Sequence, residues 1–271
     1  MDILKDEKVD FEFYHIDQNL SFKVGDIDRQ KFDIFYLINY FDQTPIKKSQ
    51  FLDGKILLED CVFQLNFENR LDAKQWYGFN SYRKITEMAD GSLVKTNLEI
   101  SKDWHAGEAP FVKERYHAKE LKSFFVKNGE GSEAAYLELF RKTEEALDRQ
   151  TQIYDMSQRS RSILIDKMAH LNNDLVARLR NRDALQSFLG EWSLINNVQD
   201  PSFFVIKTKN RDELRSYLRK KNIFLPIHWP HFGVDNILYN EIISVPLFSY
   251  YSVQDMELVG KLIQEFLNDK I

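Results

Sequence analysis

Short apolar runs, each bounded by polar or turn-forming residues, recur through the first hundred positions of this 271-residue chain. They are "VDFEFYHI" (9–16), "KFDIFYLINYF" (31–41), "GKILLEDCVFQL" (54–65), "WYGFNSY" (76–82) and "GSLVKTN" (91–97). Their shortness and their content of Ile, Val, Phe and Tyr make each read as a β-strand. Runs that are apolar at consecutive positions belong in a sheet covered on both faces. In open α/β sheets the groups that meet a ligand collect at the carboxyl ends of the strands. Asp60 and Ser81 lie at two such ends.

After Lys113 the periodicity becomes helical. "ERYHAKELKSFFVKN" reads as one helix and "SEAAYLELFRKTEEALDRQ" as a second, entered by Ser132 behind Gly129 and Gly131. An Arg- and Leu-rich helix is expected over 172–189, with "ARLRNRD" as its polar face. A compact strand–helix–strand–helix pattern follows, in "SFFVIKT", "RDELRSYLRKKN", "IISVPLF" and "SVQDMELVGKLIQEFL". Ser252, with Asp255 three residues on, has the spacing of a capping box at the last helix. A composition shift near 168–173 divides the chain into a larger domain over 1–168 and a smaller one over 169–271.

Bulk properties narrow the function. Hydrophobic residues make up 43% of the chain and charged residues 29%, an ordinary balance for a globular protein with a sizeable core. A formal net charge of -5 argues against nucleic acid as the main partner, since phosphate backbones need a basic face. Cys61, the single cysteine, cannot form an internal disulfide and points to a reducing, cytoplasmic location. "MDILKDEKVDFEF" lacks the basic and apolar regions of a signal peptide, and no apolar run is long enough to span a membrane. The 21 Phe and 12 Tyr, set in strand-like runs, read as core.

Asp60 and Lys84 are the residues that could carry chemistry. A carboxylate at the end of a buried strand is costly unless it meets a cation or several donors. A lysine in such a cleft, with Arg83 beside it, can become a nucleophilic amine. The Ser81 hydroxyl could donate to a phosphate. Amine, carboxylate and hydroxyl are the parts needed to hold pyridoxal 5'-phosphate: the amine bonds the aldehyde, the carboxylate keeps the ring nitrogen protonated, and the hydroxyl anchors the phosphate. A solvated lysine and a loop-capping aspartate are the ordinary readings of the same residues.

At these residues the chain resembles the DegT/DnrJ/EryC1/StrS family of pyridoxal phosphate-dependent, fold-type I aminotransferases, known for amino-sugar nucleotide biosynthesis. "ILLEDCVFQL" is similar to the strand whose aspartate pairs with the pyridine nitrogen, which maps onto Asp60. "FNSYRKITEMADGSLVKTN" resembles the branch with a short "SxRK…DGG" segment, mapping the cofactor lysine onto Lys84 and the phosphate-touching serine onto Ser81. "RDELRSYLRKKNIFLPIHWP" with "IISVPLFSYYSVQDMELVGKLI" resembles the family's small domain. The resemblance implies an α/β, PLP-dependent transferase-like fold, with a truncated, mostly parallel large-domain sheet, helices on both its faces, and a smaller α/β C-terminal domain. It also implies an amino-acid donor, a small-molecule carbonyl acceptor such as a keto-sugar nucleotide, and a homodimer.

Three departures from the family pattern stand out. The long N-terminal segment that supplies part of the phosphate cradle is missing before "VDFEFYHID", so a partner chain supplying it is an alternative to the plain homodimer. Phe63 stands where a polar residue usually approaches the ring, and "DGG" reads Asp90-Gly91-Ser92. His228 and Trp229, in the Pro-bounded "PIHWPHF", map near the substrate entrance, although an aromatic loop packed on the small domain fits them as well. "SQRSRS" (157–162) reads as a solvated helix start, while His105, Asp17 and Asp26 read as loop or turn residues. Two functions are compatible with these features: a PLP-dependent aminotransferase, or a non-catalytic relative acting as a binding or assembly subunit.

Overall fold

A computed structural model of the chain describes residues 7–21, 30–43, 54–100, 106–195, 199–228 and 237–270. Strands β1 (Ile34–Ile38), β2 (Ile56–Asp60) and β3 (Gln75–Phe79) pair in parallel, and β4 (Val94–Thr96) joins β3 antiparallel. Their register sets Ile38, Asp60 and Phe79 side by side at the carboxyl edge. Because side chains alternate across a strand, Leu37, Leu57, Glu59 and Trp76 share the buried face, and Tyr36, Leu58, Asp60 and Phe79 share the other.

The buried face is closed by Phe67, Leu71 and Ala73 from the β2–β3 connection and by Tyr14 and Ile16 from the N-terminal segment. Fully burying each leucine there contributes about 2 kcal/mol. Glu59 lies among these apolar groups, held by Asn39 Nδ2 at 2.9 Å and Trp76 Nε1 at 2.8 Å. Gly78 is required by close approach, since a Cβ there would stand 2.5 Å from Trp76 and 2.7 Å from Phe67. On the opposite face Ile34 and Tyr36 are 55% and 43% exposed.

Beyond β3 a single turn, α1 (Tyr82–Ile85), precedes β4. Helices α2 (Val112–Asn128) and α3 (Glu133–Asp148) then pack together, separated by Gly129 in the left-handed conformation. The Ser132 side chain accepts from Ala135 N as the sequence suggests. Helix α4 (Gln158–Ala169) is followed after His170 by α5 (Leu171–Leu189). The remainder consists of β5 (Phe203–Lys207), α6 (Arg211–Arg219), α7 (Ile237–Glu241), β6 (Ile242–Pro246) and α8 (Val253–Asn268), with β5 and β6 antiparallel. Both bonds of the Ser252/Asp255 capping box form.

A core of Leu185, Leu189, Ile206, Leu214 and Ile263 holds this C-terminal part together. A second core joins it to the sheet region, bringing Phe203, Val205 and Ile242 against Phe41, Phe63, Tyr82 and Met88.

The structure corrects several expectations. Residues 9–16 form no strand: Ile38 N–H is met by the Tyr14 hydroxyl at 3.2 Å, not by a neighbouring backbone carbonyl, and Phe13 stays 74% exposed. The run 76–82 leaves the sheet at Phe79, because the Asn80 side chain binds Gln64 O and Leu93 N, and the chain then turns into α1. "ARLRNRD" is not simply a polar face. Arg178 and Asn181 are buried, the first bonded to Asp174 and Ser202, the second to the carbonyls of Leu247, Phe248 and Tyr251. "SQRSRS" starts a helix, yet Ser157 and Ser160 are buried against Asp90. Asp26, His105 and Trp229 lie outside the described residues.

Candidate active site

Asp60, the last residue of β2, is held by two donors. Val62 N–H reaches Oδ1 at 2.9 Å and the Tyr36 hydroxyl reaches Oδ2 at 2.9 Å. Burial raises this carboxyl above the usual carboxylate range, against the two hydrogen bonds and the nearby charge of Lys84. Val62 also ties the site together, because its carbonyl accepts Ser81 N–H at 3.3 Å.

Ser81 is the N-cap of α1 through its extended backbone, and its side chain makes no capping bond. Lys84 is the third residue of that turn and its side chain is exposed. The positive charge of Lys84 acts on two groups distant in sequence, Asp60 and His228. No direct ion pair joins Lys84 to Asp60 among the described residues.

His228 comes from the C-terminal part and enters a cage of three aromatic rings. Its ring lies edge-on to Phe203 at 4.6 Å, Phe41 at 5.1 Å and Phe63 at 5.2 Å. Burial first, and the Lys84 charge second, lower its pKa to about 4, so the imidazole is neutral at pH 7. Val62 thus links the backbone of Ser81 to the Asp60 carboxylate, and the Lys84 charge acts on both Asp60 and His228. Phe63, in place of a polar residue, is a wall of the His228 cage.

Arg83 does not assist Lys84 as its position in the sequence suggests. Its guanidinium turns to Glu144 on α3, 2.6 Å away. Gly91 keeps a left-handed backbone at φ 103°, and a Cβ there would meet Met156 at 2.6 Å. Ser92, the replaced glycine, donates to Asn80 O at 2.6 Å and closes the same turn.

Tyrosines around Asp60 were not singled out from the sequence. Besides Tyr36, Tyr14 and Tyr40 bond one another and have raised pKa values, burial being the largest cause and Asp60 a further one. Tyr36 shares the strand parity of Asp60, two positions back in register on the neighbouring strand, a relation that only the strand pairing reveals. Asp90 was also missed as a functional anchor. Its carboxylate accepts Ser157 N–H at 2.7 Å, Ser157 Oγ at 2.8 Å and the Ser160 hydroxyl, pinning the start of α4 to the loop after Lys84.

No protein-family model matches the chain, and no curated protein sequence does. Solved structures do match. A DegT DnrJ EryC1 StrS aminotransferase from Brucella abortus aligns with a TM-score of 0.59 at 15% identity, over 94% of this chain and 72% of its own. The fold is that of the DegT DnrJ EryC1 StrS aminotransferases. PseC of Helicobacter pylori, an aminotransferase in pseudoaminic acid biosynthesis, aligns with a TM-score of 0.65 at 10% identity, over 99% of this chain and 76% of its own. DesI, solved in the presence of its TDP-sugar product, aligns at 0.54 with 14% identity, over 93% and 68%. The DegT-type fold therefore holds at identities where sequence comparison detects nothing, and the chain spans about 70% of the length of these proteins.

Proposed function

We propose that this protein is a pyridoxal 5'-phosphate-dependent aminotransferase that moves an amino group from an amino acid to a keto-sugar nucleotide or a similar carbonyl compound. The observation that carries the reading is that a strand-end carboxylate, Asp60, is linked through Val62 to Ser81 and feels the charge of Lys84 on the turn that follows. The residues fit the cofactor. Each Asp60 oxygen accepts one protein donor and keeps a lone pair for a ring N–H. The Ser81 hydroxyl is not spent on the helix cap, and Lys84 is exposed.

When bound, the cofactor supplies an electron sink that stabilises negative charge at the substrate carbon. Asp60 would keep the ring nitrogen protonated, and Ser81 Oγ would donate to the phosphate. Lys84 would hold the cofactor covalently and, once displaced by the amino donor, take a proton from the substrate carbon and return it at the next. Neutral His228, with Trp229 after it, would border the substrate without adding a second cation beside Lys84. The TDP-sugar product of DesI supports a sugar-nucleotide acceptor. We place the division between the two domains after residue 168, near the end of α4, and take the working form to be a cytoplasmic homodimer or a complex with a partner chain.

Purified protein mixed with pyridoxal phosphate should turn yellow, and borohydride should then fix the cofactor mass on the peptide carrying Lys84. Lys84→Ala should abolish both signals, and Asp60→Asn should weaken cofactor binding. A folded protein that stays colourless with added cofactor would overturn the reading and leave a binding or assembly subunit.

A further inference from the structure

Behind the turn that carries Lys84 lies a cluster of cations with too little negative charge. Arg83 Nη1 and Arg115 Nη2 both donate to one oxygen of Glu144, at 2.6 and 2.8 Å. Arg115 also reaches Thr143 Oγ1 at 3.1 Å and stands over the Phe140 ring at 5.4 Å. Lys119 follows Arg115 by four residues on α2 and so shares its face.

Burial, with the charges of Arg115 and Arg83 and a smaller contribution from Lys122, lowers the Lys119 pKa to about 8 against the opposing charge of Glu87. Glu87 is itself engaged by Lys167 at 3.1 Å. Two guanidiniums thus share the one Glu144 carboxylate, with Lys119 adding a third positive charge on the same helix face. Arg115 Nε is buried and has no hydrogen-bond partner among the described residues. The exposures are ordered: the Arg115 side chain is 8% exposed and Arg83 16%, whereas Glu144 is 42% exposed. The two guanidiniums are the buried partners of the cluster and the acid is the solvent-facing one.

Buried cations without counter-charge are costly, and guanidinium forks with a lysine beside them match the oxygens of a doubly charged oxyanion. We propose that Arg83, Arg115 and Lys119 form a binding site for a phosphate group, either inorganic or on a small monoester, in which Glu144 is the internal stand-in that the ligand displaces. The site goes beyond the aminotransferase reading, because the Arg83 guanidinium points to α3 and not towards Asp60.

Calorimetric titration of the full chain with inorganic phosphate, and separately with glycerol 2-phosphate, tests the proposal at constant ionic strength in chloride. The protein is loaded with pyridoxal phosphate and the unbound excess removed beforehand, so that any cofactor phosphate contact at Ser81 is already filled and no free monoester competes. Glu144→Gln removes the competing charge and should tighten binding at least about fivefold. Lys119→Met should weaken it about tenfold, and Ser81→Ala should leave it unchanged. Melting curves in chloride alone check that each variant folds, and phosphate should raise the melting temperature of Glu144→Gln more than that of the wild type. Binding of either anion with these responses supports the site, and preference for one identifies its source. Binding of neither, or a Glu144→Gln variant that binds no better than wild type, overturns it. A colourless protein that still shows the phosphate responses would sink the aminotransferase reading alone.

Discussion

The Tyr36 hydroxyl donates to Oδ2 of Asp60 across 2.9 Å, joining two residues 24 positions apart at the carboxyl edge of the sheet. This bond, together with Val62 N–H, favours the ionised carboxylate against burial. Tyr36 is therefore a positioning residue for the proposed ring-nitrogen partner. Tyr36→Phe should push the Asp60 carboxyl still higher and move the acid limb of cofactor binding up by about half a pH unit or more. A pH series of the visible absorbance checks this, and an unchanged limb would remove Tyr36 from the site.

His228 makes the fold sensitive to acid. An unfolded chain takes up its imidazole proton near pH 6.5, whereas the caged ring resists until about 4. Between these values the unfolded state binds more protons, so stability falls as pH drops from 6.5 towards 4 and levels off below. His228→Phe should remove on the order of 2 kcal/mol of that acid loss. Urea unfolding of both proteins at pH 7 and pH 4.5 measures the difference.

Asp42 illustrates a buried carboxylate retained at a cost. It is 4% exposed, accepts Ser202 N–H at 3.0 Å on Oδ2, and leaves Oδ1 without a partner. Burial, and then the Asp200 charge, raise its pKa well above the ordinary value. The folded state thus holds the extra proton, and stability is lost as pH rises through the interval above 3.8. Asp42→Asn should stabilise the protein at pH 7 by about 1 kcal/mol, the more so because the left-handed backbone at φ 67° suits asparagine. Thermal melts at pH 7 decide the sign.

Asp90 is the latch between the Lys84 loop and α4. Asp90→Ala removes acceptors from Ser157 N–H, Ser157 Oγ and Ser160 Oγ together, which should destabilise the fold by about 2–4 kcal/mol. Asp90→Asn should recover part of the loss. Denaturant midpoints for the pair, with equal slopes, would show whether the contacts carry the effect.

Several of these features were legible in the chain itself, because their causes are local. The capping box at Ser252 and Asp255 spans four residues, and the apolar runs of β1, β2 and β3 declare strands without reference to anything distant. Exposed Ile34 and Tyr36 nevertheless leave open a face that consecutive apolar residues suggested was covered. Asp60 at a strand end and Lys84 shortly after the next strand follow from the same pattern.

Composition misled at 9–16, because a strand needs a partner edge and the Tyr14 hydroxyl had taken the Ile38 N–H. Polarity misled at Arg178 and Asn181, which are buried because Asp174, Ser202 and three carbonyls from the β6–α8 connection surround them.

By itself, then, the order of residues determined which segments form strands and helices, where they are capped, and which side chains could react, since those depend on neighbours a few bonds away. Packing alone decided that Tyr36 meets Asp60, that His228 enters an aromatic cage, and that Arg83 turns to Glu144. Such contacts join points far apart along the chain, and only the burial of the shared core brings them to one place.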